Sequence, residues 1–245
     1  MCTIALAWQV FEETPIAFAA NRDELLDRPS EPPQRRQWGR EVVAPADAEA
    51  EGTWEGYNED GLLVAVTNRW VDAELAGERS RGLLVRDCLS HESAEAAARA
   101  VEGAVREAEY AGFNLLLADE NAAILLEWDG QLAVRNVQPG VHVVINVGAD
   151  GDYRIPSHRP DAGERQATNA DRLRETLQVE AGESVDSWLD RAGETIADHD
   201  YGVCVHGDGF GTRSSSLIAL GENARYEFAD GPPCRTEYRP VEGQI

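Results

Sequence analysis

The chain has 245 residues, enough for a sizeable hydrophobic core, and its 42% hydrophobic content is ordinary for a globular protein. It carries 45 Asp+Glu against 22 Lys+Arg, a formal net charge of −23, and every one of those cations is arginine. That balance excludes a nucleic-acid binder, which needs clustered cations, and no apolar run approaches the about twenty residues that span a bilayer.

The acids are spread along the whole chain. An acidic, lysine-free surface repels itself in dilute buffer and tolerates salt, which screens the repulsion. A salt-accumulating host, such as a haloarchaeon, is the expected source. Glu12 and Glu13 follow a start without a basic region, so no signal peptide is expected and the cytoplasm is the expected compartment.

In chain order, "CTIALAWQV" reads as a strand with Cys2, Ile4, Leu6 and Trp8 on one face, and "IAFAAN" as its hairpin partner across "EETP". Both strands are largely apolar on both faces, as in a doubly covered sheet. The proline-rich "PSEPPQRRQWGREVVAPADAEAEG" reads as a long surface excursion. "TWEGY" and "LLVAVTN" form a second hairpin through "NEDG". Ser80 caps a helix over "RGLLVRDCL", and Ser93 caps one over "AEAAARAVEGAVREAEY".

Strands return at "FNLLLAD", "AAILLEW", "LAVRNV" and "HVVINV", followed by helices over 161–179 and 184–198. "GVCVH", "RSSSLIALG" and "ARYEFAD" close the chain as strands. Strands alternating with helical pairs predict an α+β fold. The expected form is a four-layer α/β/β/α sandwich of two antiparallel sheets, in a single domain over 1–245.

The four cysteines are Cys2, Cys88, Cys204 and Cys234, and none forms a C-x-x-C pair. A structural zinc site is not expected from that spacing, and the expected cytoplasmic compartment argues against disulfides. Cys204 and His206 on one strand are two ligands only, so no metal and no cofactor is expected. Cys2 has two readings. Cysteine is often buried in apolar strands. Alternatively, removal of Met1 would leave a chain whose first residue carries a thiol beside an α-amine of pKa about 7.7–8.0. Such a residue is nucleophile and base at once.

Five blocks resemble one family: "MCTIALAW…AANRDELLDRPS", "GTWEGYNEDGLLVAVTNR", "SRGLLVRDCL", "YAGFNLLLAD" and "FGTRSSSLIAL". They are similar to the NRDE family, also called the transport-and-Golgi-organisation protein 2 family, and run from Cys2 to about Leu220 in the family's order. More distantly, "MCT" and "GYNEDGLLVAVTN" resemble the choloylglycine hydrolases and penicillin V acylases, which are N-terminal-cysteine hydrolases of the α/β/β/α fold.

That resemblance implies Cys2 as nucleophile, Asn68 and Asn146 as oxyanion donors, and Arg22 with Asp23 as the adjacent charged pair. Here Arg22 and Asp23 are neighbours, whereas the hydrolases separate theirs by two residues. A later arginine of that family falls on Arg165 or Arg172. Arg69 and Arg213 are candidates for contacting an anionic substrate group. Trp54, with Trp38 and Trp70, is a candidate for lining an apolar pocket. His142 and His158 offer a Cys–His dyad only on a different fold.

The expected function is hydrolysis or acyl transfer at a C–N amide bond of a small molecule. The alternative is a non-catalytic carrier of haem or an acyl-lipid on the same fold. A small-molecule partner is expected in both cases, without membrane insertion.

Overall fold

The computed structural model describes residues 2–222 and 224–245; removal of Met1 lies outside the described residues. The elements run β1 (Thr3–Phe11), β2 (Thr14–Leu25), β3 (Ser30–Gln37), β4 (Glu41–Asp47), β5 (Glu55–Asn58) and β6 (Leu63–Asn68). The first helical pair, α1 (Arg81–Cys88) and α2 (Ala94–Glu107), comes next. Then follow β7 (Phe113–Ala118), β8 (Ala123–Trp128), β9 (Leu132–Asn136), β10 (Gly140–Ile145), β11 (Gly148–Ala149) and β12 (Asp152–Tyr153). The second pair, α3 (Pro160–Thr176) and α4 (Val185–Ala197), leads to β13 (Phe210–Leu220), β14 (Arg225–Ala229) and β15 (Arg239–Pro240).

The chain divides into two compact units interleaved in sequence, one of residues 1–28 and 139–241, the other of 29–138 and 242–245. Each unit holds one sheet and one helical pair, and all pairings within both sheets are antiparallel. The α+β class and the two antiparallel sheets are as expected. Among the described residues, no helix is long and apolar enough to cross a membrane.

In the first unit the strand order is β12-β11-β10-β1-β2-β13-β14-β15. β1 and β2 occupy its middle, and Ile4 to Trp8 and Ile16 to Ala20 are all buried. α3 packs on β10, and α4 on β2 and β13. Ser184 caps α4 by accepting from the Ser187 N–H, and Trp188, Leu189, Ala192 and Ile196 are buried along it.

In the second unit the order is β3-β4-β5-β6-β7-β8-β9. α2 buries Ala94, Ala97, Ala98 and Val101, the i, i+3, i+4, i+7 stripe of an amphipathic helix. These pack with Leu84, Val85 and Leu89 against Phe113, Leu115 and Leu117 of β7. The hairpin between β5 and β6 turns on Asn58. Its Oδ1 accepts from the Asp60 and Leu62 N–H groups, while its Nδ2 donates to the carbonyls of Leu89 and His91. Gly61, at φ +77, takes the left-handed position that the turn needs.

Two segments differ from expectation. The proline-rich excursion forms strands: β3 is the sheet edge, and its irregularity between Glu31 and Gln34 absorbs Pro32 and Pro33, which lack an N–H for the ladder. Behind it Val42, Val43 and Ala44 of β4 are buried. Conversely, "GVCVH" is not a named strand. It meets β13 through the isolated bridge of His206 with Gly211 and the bonds between Val205 and Thr212, because the glycines that follow break a regular ladder.

Candidate active site

The middle of the first sheet determines what stands beside Cys2. Thr3 pairs with Asn21 across β1 and β2, and Ile4 pairs with Val144 across β1 and β10. Continuing the β1–β2 register by one step puts Arg22 opposite Cys2, while β10, on the other side of β1, leads into the turn that holds Asn146. β2 reaches Leu25 rather than Asn21, so the whole "NRDE" motif lies in strand and pairs with β13.

Strand alternation assigns the faces. Asn21 points toward α4, its Nδ2 donating to the carbonyls of Ile196 at 2.8 Å and Val203 at 3.0 Å. Thr3, opposite Asn21, shares that face, so Cys2 and Arg22 share the other. The Cys2 thiol is half-buried and donates to the Asp23 carbonyl, with Sγ 3.5 Å from the oxygen. Arg22 is buried, with Nη2 3.7 Å from Glu24 Oε2.

Asp23 is 3% exposed, and its Oδ1 accepts from the Thr212 hydroxyl at 2.6 Å. A buried carboxylate is tolerated when such a donor satisfies it. Thr212 is itself held by Val205. Its N–H donates to the Val205 carbonyl at 2.8 Å, and its Oγ1 accepts from the Val205 N–H at 2.8 Å. Asn146 lies in the tight turn between β10 and β11 and is buried; its Oδ1 accepts from Gln166 Nε2 of α3 at 3.3 Å.

The fold therefore brings Cys2, Arg22 and Asp23 together at one end of β1, and Asn146 follows the neighbouring strand β10. Asn68 belongs to the second unit, where it ends β6 opposite Phe113 and is exposed. Its neighbour Arg69 is buried, and Nη1 donates to both Asn114 Oδ1 and Glu127 Oε1 at 2.6 Å. Trp54 is half-buried in the second unit, and its carbonyl accepts from the Val66 N–H.

Arg213 stands at the irregularity of β13 between Thr212 and Ser214 and pairs with Asp230 at 2.6 Å. Arg165 and Arg172 are both exposed on α3, and Arg172 lies over the Tyr201 ring at 5.3 Å. His142 binds Asp150, with Nδ1 2.7 Å from Oδ2.

Sequence reasoning missed Thr212 and Gln166. Thr212 sits inside the "FGTRSSS" block, whose hydroxyl-rich run is the available signal. Gln166 carries no signal beyond being a polar residue on the buried face of a helix. Elsewhere in this unit, His199, Cys204, His206 and Cys234 converge into a cluster able to hold a metal ion.

Comparison with solved structures places this fold. Penicillin V acylase from Agrobacterium tumefaciens superposes with a TM-score of 0.57 at 14% identity, over 94% of this chain and 83% of that one. The C2A mutant of the conjugated bile acid hydrolase from Clostridium perfringens gives 0.55 at 13%, over 100% and 97%. The N-acylethanolamine-hydrolyzing acid amidase ortholog of Caenorhabditis elegans gives 0.58 at 13%, over 89% and 92%. At these identities the likeness is one of fold, shared with N-terminal nucleophile hydrolases. No curated protein matches the sequence. The family model described as Transport and Golgi organisation 2 matches residues 1–231, and the chain belongs to that family.

Proposed function

We propose that the protein is an N-terminal-cysteine hydrolase or acyltransferase that acts on the C–N amide bond of a small molecule, with Cys2 as nucleophile once Met1 is removed. The observation that carries this reading is the Cys2 thiol beside the Arg22–Asp23 pair at the end of β1, where it donates to the Asp23 carbonyl. The fold shared with a penicillin V acylase, a conjugated bile acid hydrolase and an N-acylethanolamine-hydrolyzing acid amidase ortholog supports it.

In this mechanism the Cys2 α-amine takes the thiol proton and the thiolate adds to the amide carbonyl carbon. Arg22, on the face of Cys2, lowers the cost of the thiolate. The Asn146 amide donates to the oxyanion of the tetrahedral intermediate, in the manner of an oxyanion hole. The α-ammonium returns its proton to the leaving amine as the C–N bond breaks. Water then hydrolyses the thioester, or an acceptor amine takes the acyl group. Asn68 as second oxyanion donor rests on the sequence resemblance alone.

The test is a panel of N-acyl amides of varied acyl length assayed with the parent protein and Cys2→Ala. A turnover that falls at least about a thousandfold in Cys2→Ala is expected for a lost covalent nucleophile. Turnover that survives the substitution would remove Cys2 from the mechanism. Saturable haem or acyl-lipid binding that survives it, with no turnover on any amide, would favour the carrier alternative.

The charge of −23 supports a salt-rich cytoplasm as the working environment. The unfolding midpoint should then rise between low and molar KCl; a midpoint independent of KCl would contradict that setting.

A further inference from the structure

Four side chains that the chemistry at Cys2 does not use meet within the first unit. His199 opens the short 3-10 turn His199–Tyr201 after α4. Cys204 and His206 lie in the segment that follows, and Cys234 lies in the turn before β15. Their ligand atoms all fall within 4.8 Å of one another.

His206 Nε2 is the centre of this group. It stands 3.2 Å from His199 Nε2, 3.1 Å from Cys234 Sγ and 3.8 Å from Cys204 Sγ. One imidazole nitrogen has either a single proton or a single lone pair, so ordinary hydrogen bonding satisfies only one of those three neighbours. A cation among them satisfies all four atoms at once. Zinc binds nitrogen at about 2.0–2.1 Å and sulfur at about 2.3 Å, which makes the edges of its tetrahedron about 3.3 Å for N–N and about 3.6 Å for N–S. The observed N–N separation of 3.2 Å is close to the first value, and the N–S separations of 3.1 and 3.8 Å lie on either side of the second.

The segments that carry the ligands are separately pinned. Asp198 caps the 3-10 turn by accepting from the Asp200 N–H at 2.9 Å. Asn21 holds the Val203 carbonyl, and Thr212 holds both polar groups of the Val205 backbone. The Arg235 and Thr236 N–H groups both donate to the Pro232 carbonyl at 3.0 Å, which fixes the turn around Cys234. Cys204 is buried, Cys234 half-buried, and both histidines are exposed, so a route for the ion is open from solvent.

We propose that His199, Cys204, His206 and Cys234 form a Cys2His2 site for a structural zinc ion. A donor set of two thiolates and two imidazoles selects zinc among common divalent ions. With all four positions filled by protein, the site is of the closed, structural kind rather than the catalytic kind. The ion clips the C-terminal turn to the segment that carries Val205, which in turn holds Thr212 against Asp23. The site is independent of whether Cys2 is a nucleophile.

The test is metal content of the full-length protein, purified without chelator and with reductant, together with a cobalt(II) titration of the metal-stripped protein. The expected result is about one zinc per chain, and cobalt spectra with tetrahedral d–d bands and thiolate charge transfer. Cys234→Ser and His206→Ala should each lose stoichiometric zinc, whereas Cys88→Ala, in the second unit, should retain it. If the ligand variants fail to fold, the cobalt spectrum of the parent still decides. The proposal is overturned by less than about a tenth of an equivalent of metal after zinc dialysis. It is equally overturned by stoichiometric iron or copper in place of zinc, by an octahedral cobalt spectrum, by metal content unchanged in Cys234→Ser, or by a Cys204–Cys234 disulfide in the reduced-purified protein.

Discussion

The Thr212 hydroxyl donates to the buried Asp23 carboxylate at 2.6 Å, joining β13 to the strand that carries "NRDE". The same oxygen accepts from the Val205 N–H, so it links the aspartate to the segment between Cys204 and His206. Thr212→Val keeps the shape and removes both bonds. A buried hydrogen bond to a charged group contributes about 1.5–3 kcal/mol. At about 2–4 °C per kcal/mol for a chain of this size, the melting temperature should fall by roughly 3–12 °C. A variant that melts within about a degree of the parent would show that the bond contributes little.

Arg69 and Glu127 make a second test, in the other unit. Their side chains are 4% and 12% exposed, and the guanidinium also holds Asn114. Removing one partner of a buried ion pair leaves an uncompensated charge and costs about 3–5 kcal/mol. Arg69→Gln should therefore unfold at markedly lower urea, and Arg69→Gln with Glu127→Gln should recover most of the loss. No recovery in the double variant would mean that Arg69 acts through Asn114 instead. The expected substrate contact of Arg69 would appear separately, as a raised KM in that stable double variant.

Asp150 gives the pH dependence. Burial alone would raise its carboxyl, but hydrogen bonds from His142 and the Val143 N–H outweigh that, and with Arg174 they hold it below the usual carboxylate range. A group depressed in the folded state contributes stability above its unfolded pKa and loses it as pH falls through the folded value. Asp150→Asn suits the left-handed backbone at φ 55, so it isolates the charge. Its destabilisation should be full near pH 7 and shrink below about pH 4. A difference that stays constant between those pH values would contradict the assignment.

Much of this structure was legible in the residues. The apolar β1 and β2, the capped helices and the "NEDG" hairpin follow from local chemistry, although β2 runs on to Leu25 and α2 ends at Glu107. The errors came where tertiary pairing overrode local signals. Pro32 and Pro33 hid an edge strand, because a sheet edge tolerates the missing N–H groups. The adjacency of Cys2 to Arg22 and Asp23 was legible through family likeness, but Thr212 and Gln166 are positioned by residues far away in sequence. The four-ligand cluster was hidden for the same reason: Cys234 lies 28 residues beyond His206, joined to it by the path of the sheet.

The central claim is that Cys2 is the first residue of the mature chain and forms the acyl-enzyme. Intact mass spectrometry after brief incubation with an activated acyl donor at neutral pH in high salt tests it most directly. The predicted result is a chain lacking Met1 that gains one acyl mass, mapped to Cys2 and absent from Cys2→Ala. A chain that keeps Met1, or an acyl mass that appears equally in Cys2→Ala, would contradict it.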